Sequence, residues 1–144
     1  MDSAEYLDLP ERLYINHEVE LPDEAKEQYK QLQRDMLLPF ADGDIDAGSA
    51  GILANKLLQF CGGCVYDENR GVKEFHTEKL DKLEQLIEEA NGQPVLVFYA
   101  YQHERDRILQ RFSEAVEIKS DDAVKRWNAG KIPILLAHPA SAGH

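Results

Sequence analysis

The stretch "PVLVFYAYQHERDRILQRFSEAVEIKSDDAVKRWNAGKIPILLAHPASAGH", residues 94–144, decides the fold. It holds two apolar runs, "VLVFYA" (95–100) and "IPILLA" (132–137), with a short strand, "AVEI" (115–118), between them. A continuous apolar run reads as a strand covered on both faces. Pro133 stands near the start of the last run, where a missing donor is tolerated. Between the runs the pattern turns helical. "YQHERDRILQRF" puts Tyr101, Ile108, Leu109 and Phe112 inward, and "DDAVKRWN" carries Ala123, Val124 and Trp127 between a Ser120 cap and Gly130. Trp127 is expected to be buried against the sheet. The order is strand, helix, strand, helix, strand with short connections. This predicts an α/β fold: a parallel sheet flanked by helices through right-handed crossovers. Ligands of such sheets bind at the carboxyl ends of the strands. That places two segments of interest, "YAYQH" and the small-residue loop "HPASAGH".

Working outward, Thr77 can cap a helix whose Leu80, Leu83, Leu86, Ile87 and Ala90 share one face, and Asn91–Gly92 stops it. "VYDENRGVKEF" (65–75) predicts a hairpin turning at 69–71. "GILANKLLQFC" (51–61) predicts a helix closed by Gly62 and Gly63. "ADGDIDAGSAG" (41–51) has the composition of a linker. "LPDEAKEQYKQLQRDML" predicts a helix with Pro22 in its first turn. In "LYINHEVEL" (13–21), Ile15, His17, Val19 and Leu21 alternate, which predicts a half-buried strand.

The chain has 144 residues and a net charge of −11. Residues 1–60 carry 13 acids and 5 bases, and residues 61–144 carry 14 acids and 11 bases. Such a field disfavours loose binding to nucleic-acid phosphates. No apolar run is long enough for a membrane span, and the acidic N-terminus has no signal-peptide core, so a cytoplasmic, non-membrane protein is expected.

"CGGC" (61–64) has a redox or metal spacing, but it follows a helix rather than opening one, and no second cysteine pair exists. It reads as two small residues around a glycine helix stop, free thiols with no metal. In "HPASAGH", Ser141 offers a hydroxyl and the small residues allow close backbone approach, either to a ligand or merely in a turn. Tyr99 can stack on a base or pack under a helix, and Tyr101 falls on the packing face. Arg105 and Arg107 sit among acids and read as a solvated helix face. Lys125, Arg126 and Lys131 are less neutralised and can meet phosphates. No phosphate loop and no catalytic constellation is complete, so no catalytic residue is assigned.

Taken in order, these segments resemble the C-terminal half of SNF2-family ATPases of superfamily 2 helicase type, closest to the short phage-like members. "LDLPERLYINHEVELPDEAKEQYKQL" resembles the family's entry strand and helix. "ILANKLLQFCGGCVYDE" resembles the helix crossing toward the second motor domain. "HTEKLDKLEQLIEEANGQPVLVFYAYQHERDRI" resembles the Lys-Leu helix and motif IV, and "AVKRWNAGKIPILLAHPASAGH" resembles the approach to motif V. Tyr99–Ala100 stands where the family more often has Ser-Gln.

The resemblance implies a RecA-like sheet, a partial second motor lobe cut within motif V. Residues 1–63 would form an N-terminal strand and helical extension, and 64–144 the partial RecA-like domain. It assigns Ser141, Ala142, Gly143 and His144 to motif V, coupling ATP to DNA. It assigns Tyr99, Tyr101 and Gln102 to motif IV, with Lys79 as the helix-start lysine. These residues, with Lys125, Arg126 and Lys131, would meet nucleic acid. It implies ATP and Mg in the longer parent, an ATP-dependent helicase or translocase, with none bound by these residues alone. It implies DNA and the first RecA-like lobe as partners. Two other readings stand beside it: an independent α/β module for a small phosphorylated ligand, and an acidic interaction domain.

Overall fold

The computed structural model of the protein describes residues 9–40 and 43–142, with Ser141 and Ala142 by their backbone. Helix α1 (Asp23–Leu37) starts after Pro22, with Asp23 and Glu24 in its first turn. Acids there complement the exposed amide ends of the helix. A 3-10 turn (Leu38–Phe40) follows. Helix α2 (Ala47–Cys61) begins inside the stretch whose composition suggested a linker. The reason is a local cap: the Asp46 carboxylate accepts from the Ser49 amide at 2.8 Å and from its hydroxyl at 2.9 Å.

Gly63 then takes φ +107. A Cβ there would collide with the His76 carbonyl and the Arg107 guanidinium, so only glycine fits. Strands β1 (Cys64–Tyr66) and β2 (Val72–Glu74) form the expected antiparallel hairpin. Asp67 holds its turn by accepting from the Asn69 and Gly71 amides at 2.8 and 2.7 Å. Phe60 at the end of α2 is fully buried, against Tyr29 of α1, Phe75 and His76.

Helix α3 (Glu78–Glu89) leads to β3 (Val95–Phe98), α4 (Gln102–Arg111), β4 (Ala115–Glu117), α5 (Asp121–Asn128), β5 (Ile134–Ala137) and the single turn α6 (Pro139–Ala142). Thr77 and Ser120 occupy the N-cap positions of α3 and α5, but neither side chain makes a capping bond. The three strands form one parallel sheet in the order β3-β5-β4. The chain crosses from β3 to the far edge and returns to the centre. Right-handed crossovers therefore put α4 and α5 on opposite faces.

One face carries the core. Ile134 and Leu136 of β5 pack with Tyr99 and Ile108, and Leu80, Leu83 and Ile87 of α3 close over Val97. Leu135 and Ala137 point to the other face and are also buried. β5 is thus apolar-covered on both sides, as its run predicts.

Several expectations do not hold. Residues 13–21 form no strand, and Tyr14 and Ile15 are 83% and 69% exposed. Alternation makes an amphipathic strand possible, but a strand needs a neighbour for its backbone groups, and this segment pairs with none among the described residues. β3 is not covered on both faces: it is an edge strand, and Leu96 and Phe98 are exposed. "HPASAGH" is not wholly a loop, since Pro139–Ala142 is helical. Trp127 is half-buried rather than buried, with Val124 exposed beside it, because the short α5 sits at the sheet's flank.

Candidate functional site at the carboxyl edge of the sheet

Parallel strands deliver their following residues to one edge, and three groups from three strands meet there. Tyr99 follows β3, Glu117 ends β4 and His138 follows β5. The Tyr99 hydroxyl donates to Glu117 Oε1 at 2.9 Å. The Tyr99 ring meets the His138 ring edge-on, centroids 5.6 Å apart. Arg105 lies beside Glu117 at 3.7 Å and binds Asp106 at 2.9 Å, and Lys119 approaches Glu117 at 3.7 Å. Burial, then the Glu117 carboxylate, push the Tyr99 phenol above its ordinary range. His138 Nδ1 accepts from the Ala140 amide at 3.1 Å, so the imidazole itself caps α6.

Tyr99 is enclosed at this edge. Its ring is buried, so it has no face open for stacking on a base. It can position Glu117 and His138 instead. Arg105, read from sequence as a solvated partner of acids, is held against Glu117 and Asp106.

Lys79 lines a cleft of about 300 Å³ between α3, β3 and α4. Leu80, Leu83, Val97, Phe98 and Ile108 supply apolar lining, and His17 and Val19 of the N-terminal segment line it too. Tyr99 and Phe98 border the same cleft.

Lys125, Arg126 and Lys131 are exposed but are not brought to this edge. Helix α5 runs from the end of β4 back to the start of β5. Arg126, whose carbonyl accepts from the Lys131 amide at 3.0 Å, therefore lies toward the opposite end of the strands. Gln102 is exposed at the start of α4. Ser141 and Ala142 lie in α6, and Gly143 and His144 fall outside the described residues.

Tyr101 turns away from the sheet core. Its hydroxyl donates to Asn55 of α2 at 3.0 Å, and its ring stacks on His103 at 5.3 Å, with planes 15° apart. Glu104 accepts from its amide at 3.0 Å.

Sequence reasoning missed the joint below it. His103 is 1% exposed, between Tyr101 and Tyr66, and neither ring nitrogen has a hydrogen-bond partner. Burial holds its pKa below the ordinary histidine value. Arg107, one turn on, is buried rather than solvated. It donates to the His76 carbonyl at 2.7 Å and the Gly62 carbonyl at 3.3 Å, and pairs with Glu74 at 3.4 Å. The available signal was the spacing: His103 and Arg107, four residues apart, share one helix face, and a Gly-Gly pair leaves room for a guanidinium.

The cysteines end α2 and begin β1 and are free; Cys64 is buried, which pushes its thiol pKa up. Among the described residues no group of His, Cys, Asp and Glu could hold a metal ion, and no helix is long and apolar enough to cross a membrane.

The fold and edge define an α/β unit with a three-stranded parallel sheet flanked by helices. No family model matches the chain. It is 36% identical over 146 residues to protein p41 of Acyrthosiphon pisum secondary endosymbiont phage 1. The match covers 100% of this chain and 32% of that protein, so the chain spans about a third of its relative's length.

Proposed function

We propose that this chain is the C-terminal lobe of an SNF2-like, DNA-dependent ATPase that couples ATP hydrolysis to movement along nucleic acid. The observation that carries the reading is the contact between Tyr99 and His138. The segments that resemble motif IV and motif V are distant in sequence, yet they meet at the strand ends where α/β sheets work on ligands. A sheet of this kind is consistent with a RecA-like lobe, and a relative about three times as long leaves room for a first lobe.

The described residues do not fit a nucleotide triphosphate. The carboxyl edge carries Glu104, Asp106 and Glu117, Arg105 is already neutralised, and no glycine-rich phosphate cradle is present. ATP and Mg would have to be held mainly by the other lobe. The role left to this chain is positional. Tyr99 and His138 tie the end of β3 to the start of α6, and Lys79 offers a cation on the cleft that Tyr99 also lines.

The test compares two proteins. Full-length phage p41 should hydrolyse ATP, and DNA should stimulate it. This chain alone should neither hydrolyse ATP nor bind it at micromolar concentration in calorimetry. A full-length relative with no DNA-stimulated hydrolysis would overturn the reading. Tight ATP binding by this chain alone would point to a phosphorylated-ligand module instead.

A further inference from the structure

We propose that His103 is a pH switch built into the joint beneath α4. When its imidazole takes up a proton, the tip of the β1–β2 hairpin swings away from α4 together with α2. Arg107 holds the base of the hairpin in place as the pivot. This inference rests on the joint alone and does not depend on the ATPase reading.

The His103 ring is buried and neither nitrogen has a partner. A charged imidazole carries two N–H donors, and the closed joint accepts from neither. The ring can meet water only by parting from Tyr66 or Tyr101, whose rings lie 4.8 and 5.3 Å from it. Tyr101 stands just before α4 and stays with that helix. Tyr66 ends β1, so the separation falls between the hairpin and α4. The surroundings do not hold the proton in the closed state. Burial opposes it most, Arg107 opposes it too, and Glu104 and Asp106 of the same helix favour it. The other elements of the joint bring Tyr66 and Cys64 of β1, Glu74 of β2, His76 and Lys56 of α2. Glu74, the one carboxylate among them, is paired with Arg107.

The two ends of the joint differ in what opening costs. The hairpin register sets Tyr66 opposite Val72 near the turn and Cys64 opposite Glu74 at the base. At the tip, the His103 amide donates to the Tyr66 hydroxyl and the Tyr101 hydroxyl to Asn55, both at 3.0 Å. Water can replace both bonds: a first-turn amide has no acceptor within its own helix, and the Tyr101–Asn55 pair is exposed. At the base, Arg107 donates to the Gly62 and His76 carbonyls in a buried space, where a lost bond leaves both stranded. The tip is therefore the end that opens. Helix α2 moves with it, because the Tyr66 amide donates to Gln59 at 3.0 Å and the Tyr66 carbonyl accepts from Lys56.

NMR of this chain between pH 7 and pH 5 tests the switch. Amide exchange at residue 103, corrected for its intrinsic rate, should lose protection about tenfold per pH unit below about pH 6.5. The Tyr66 ring signals should shift along the same curve, and the Arg107 guanidinium protons should stay slow. Protection unchanged down to pH 5 would overturn the proposal. So would a His103 imidazole that titrates near the ordinary value while the Tyr66 signals stay fixed, since the ring would then reach water without any opening. Loss of the Arg107 signals in step with Tyr66 would remove the pivot and overturn it as well. Two variants check the cause. His103→Phe should make protection at residue 103 independent of pH, and a surviving dependence would assign the switch to another group. Asn55→Ala loosens only the tip, so it should raise the folded His103 value toward about 6.5. An unmoved value would show that the tip does not control access to the ring.

Discussion

The joint beneath α4 and the carboxyl edge of the sheet are built from the same kinds of residue in opposite ways. In the joint, Arg107 and His103 are sealed among carbonyls and aromatic rings. At the edge, Arg105, Glu117, Tyr99 and His138 touch in series, and Arg105, Glu117 and His138 are only partly buried. A buried cation has few replacements for a lost partner, so its site tolerates one arrangement. A half-exposed network can trade partners, with water taking up what a side chain gives up. The joint is therefore suited to fixing how α2 and the hairpin sit on α4.

The largest expected effect breaks the joint. Arg107→Met keeps the stem and removes the guanidinium, leaving the His76 and Gly62 carbonyls without donors in a buried space. Stability should fall by about 3 kcal/mol. The charge pair with Glu74 contributes less, because that carboxylate is mostly exposed. Urea unfolding of the variant measures it. A loss under about 0.5 kcal/mol, the size of an ordinary surface substitution, would place Arg107 on the surface after all.

The second effect is a pH dependence. His103 has a lowered folded pKa because charging it would strand a cation among Tyr66, Tyr101 and the neighbouring Arg107, with Glu104 and Asp106 only partly offsetting. The unfolded chain takes up the proton first, near the ordinary value of about 6.5, so it binds more protons than the folded chain below that pH. Stability is then full above about pH 6.5 and declines as pH falls toward the lowered folded value. His103→Phe keeps an aromatic ring in the stack and removes the titration. Its melting temperature should fall less between pH 7 and pH 5 than that of the parent chain. Equal slopes would mean that His103 reaches water.

Much of the fold was legible because the strongest signals are local. The helix stop at Asn91–Gly92, the glycine turn after Cys61 and the apolar run of β5 each act within a few residues, and each stands where expected. One failure is local, the Asp46 cap that starts α2 inside 41–51; the larger ones are questions of neighbours. Residues 13–21 alternate as well as any strand, yet they form none without a paired edge. β3 is as apolar as β5 and differs only in having one strand beside it. Arg107 looks like a surface arginine within "HERDRILQR", since nothing in those residues reveals Gly62 and His76 folded onto the same helix face. For the site, the parallel order alone delivered Tyr99 and His138 to one edge. It could not show that Tyr99 would be covered.

The smallest effect sharpens the contrast from the edge. Tyr99→Phe removes one hydrogen bond to a carboxylate that keeps Arg105 and Lys119 nearby. The loss should be about 1 kcal/mol at neutral pH, a third of that for Arg107→Met. The edge should also respond at the opposite end of the pH scale. The Tyr99 phenol is raised by burial and by Glu117, so the unfolded chain loses this proton first, near pH 10, while the folded chain keeps it. Stability from this group is complete below about pH 10 and is lost as pH rises through the raised folded value. Tyr99→Phe should flatten that alkaline decline and leave the acid decline from His103 untouched. Ring-current shifts add a structural readout. Phenylalanine keeps the edge-on contact with His138, so the His138 ring protons should hold their positions in the variant. If they move, the hydroxyl rather than the ring sets where His138 sits, and α6 would be positioned from Glu117 through Tyr99.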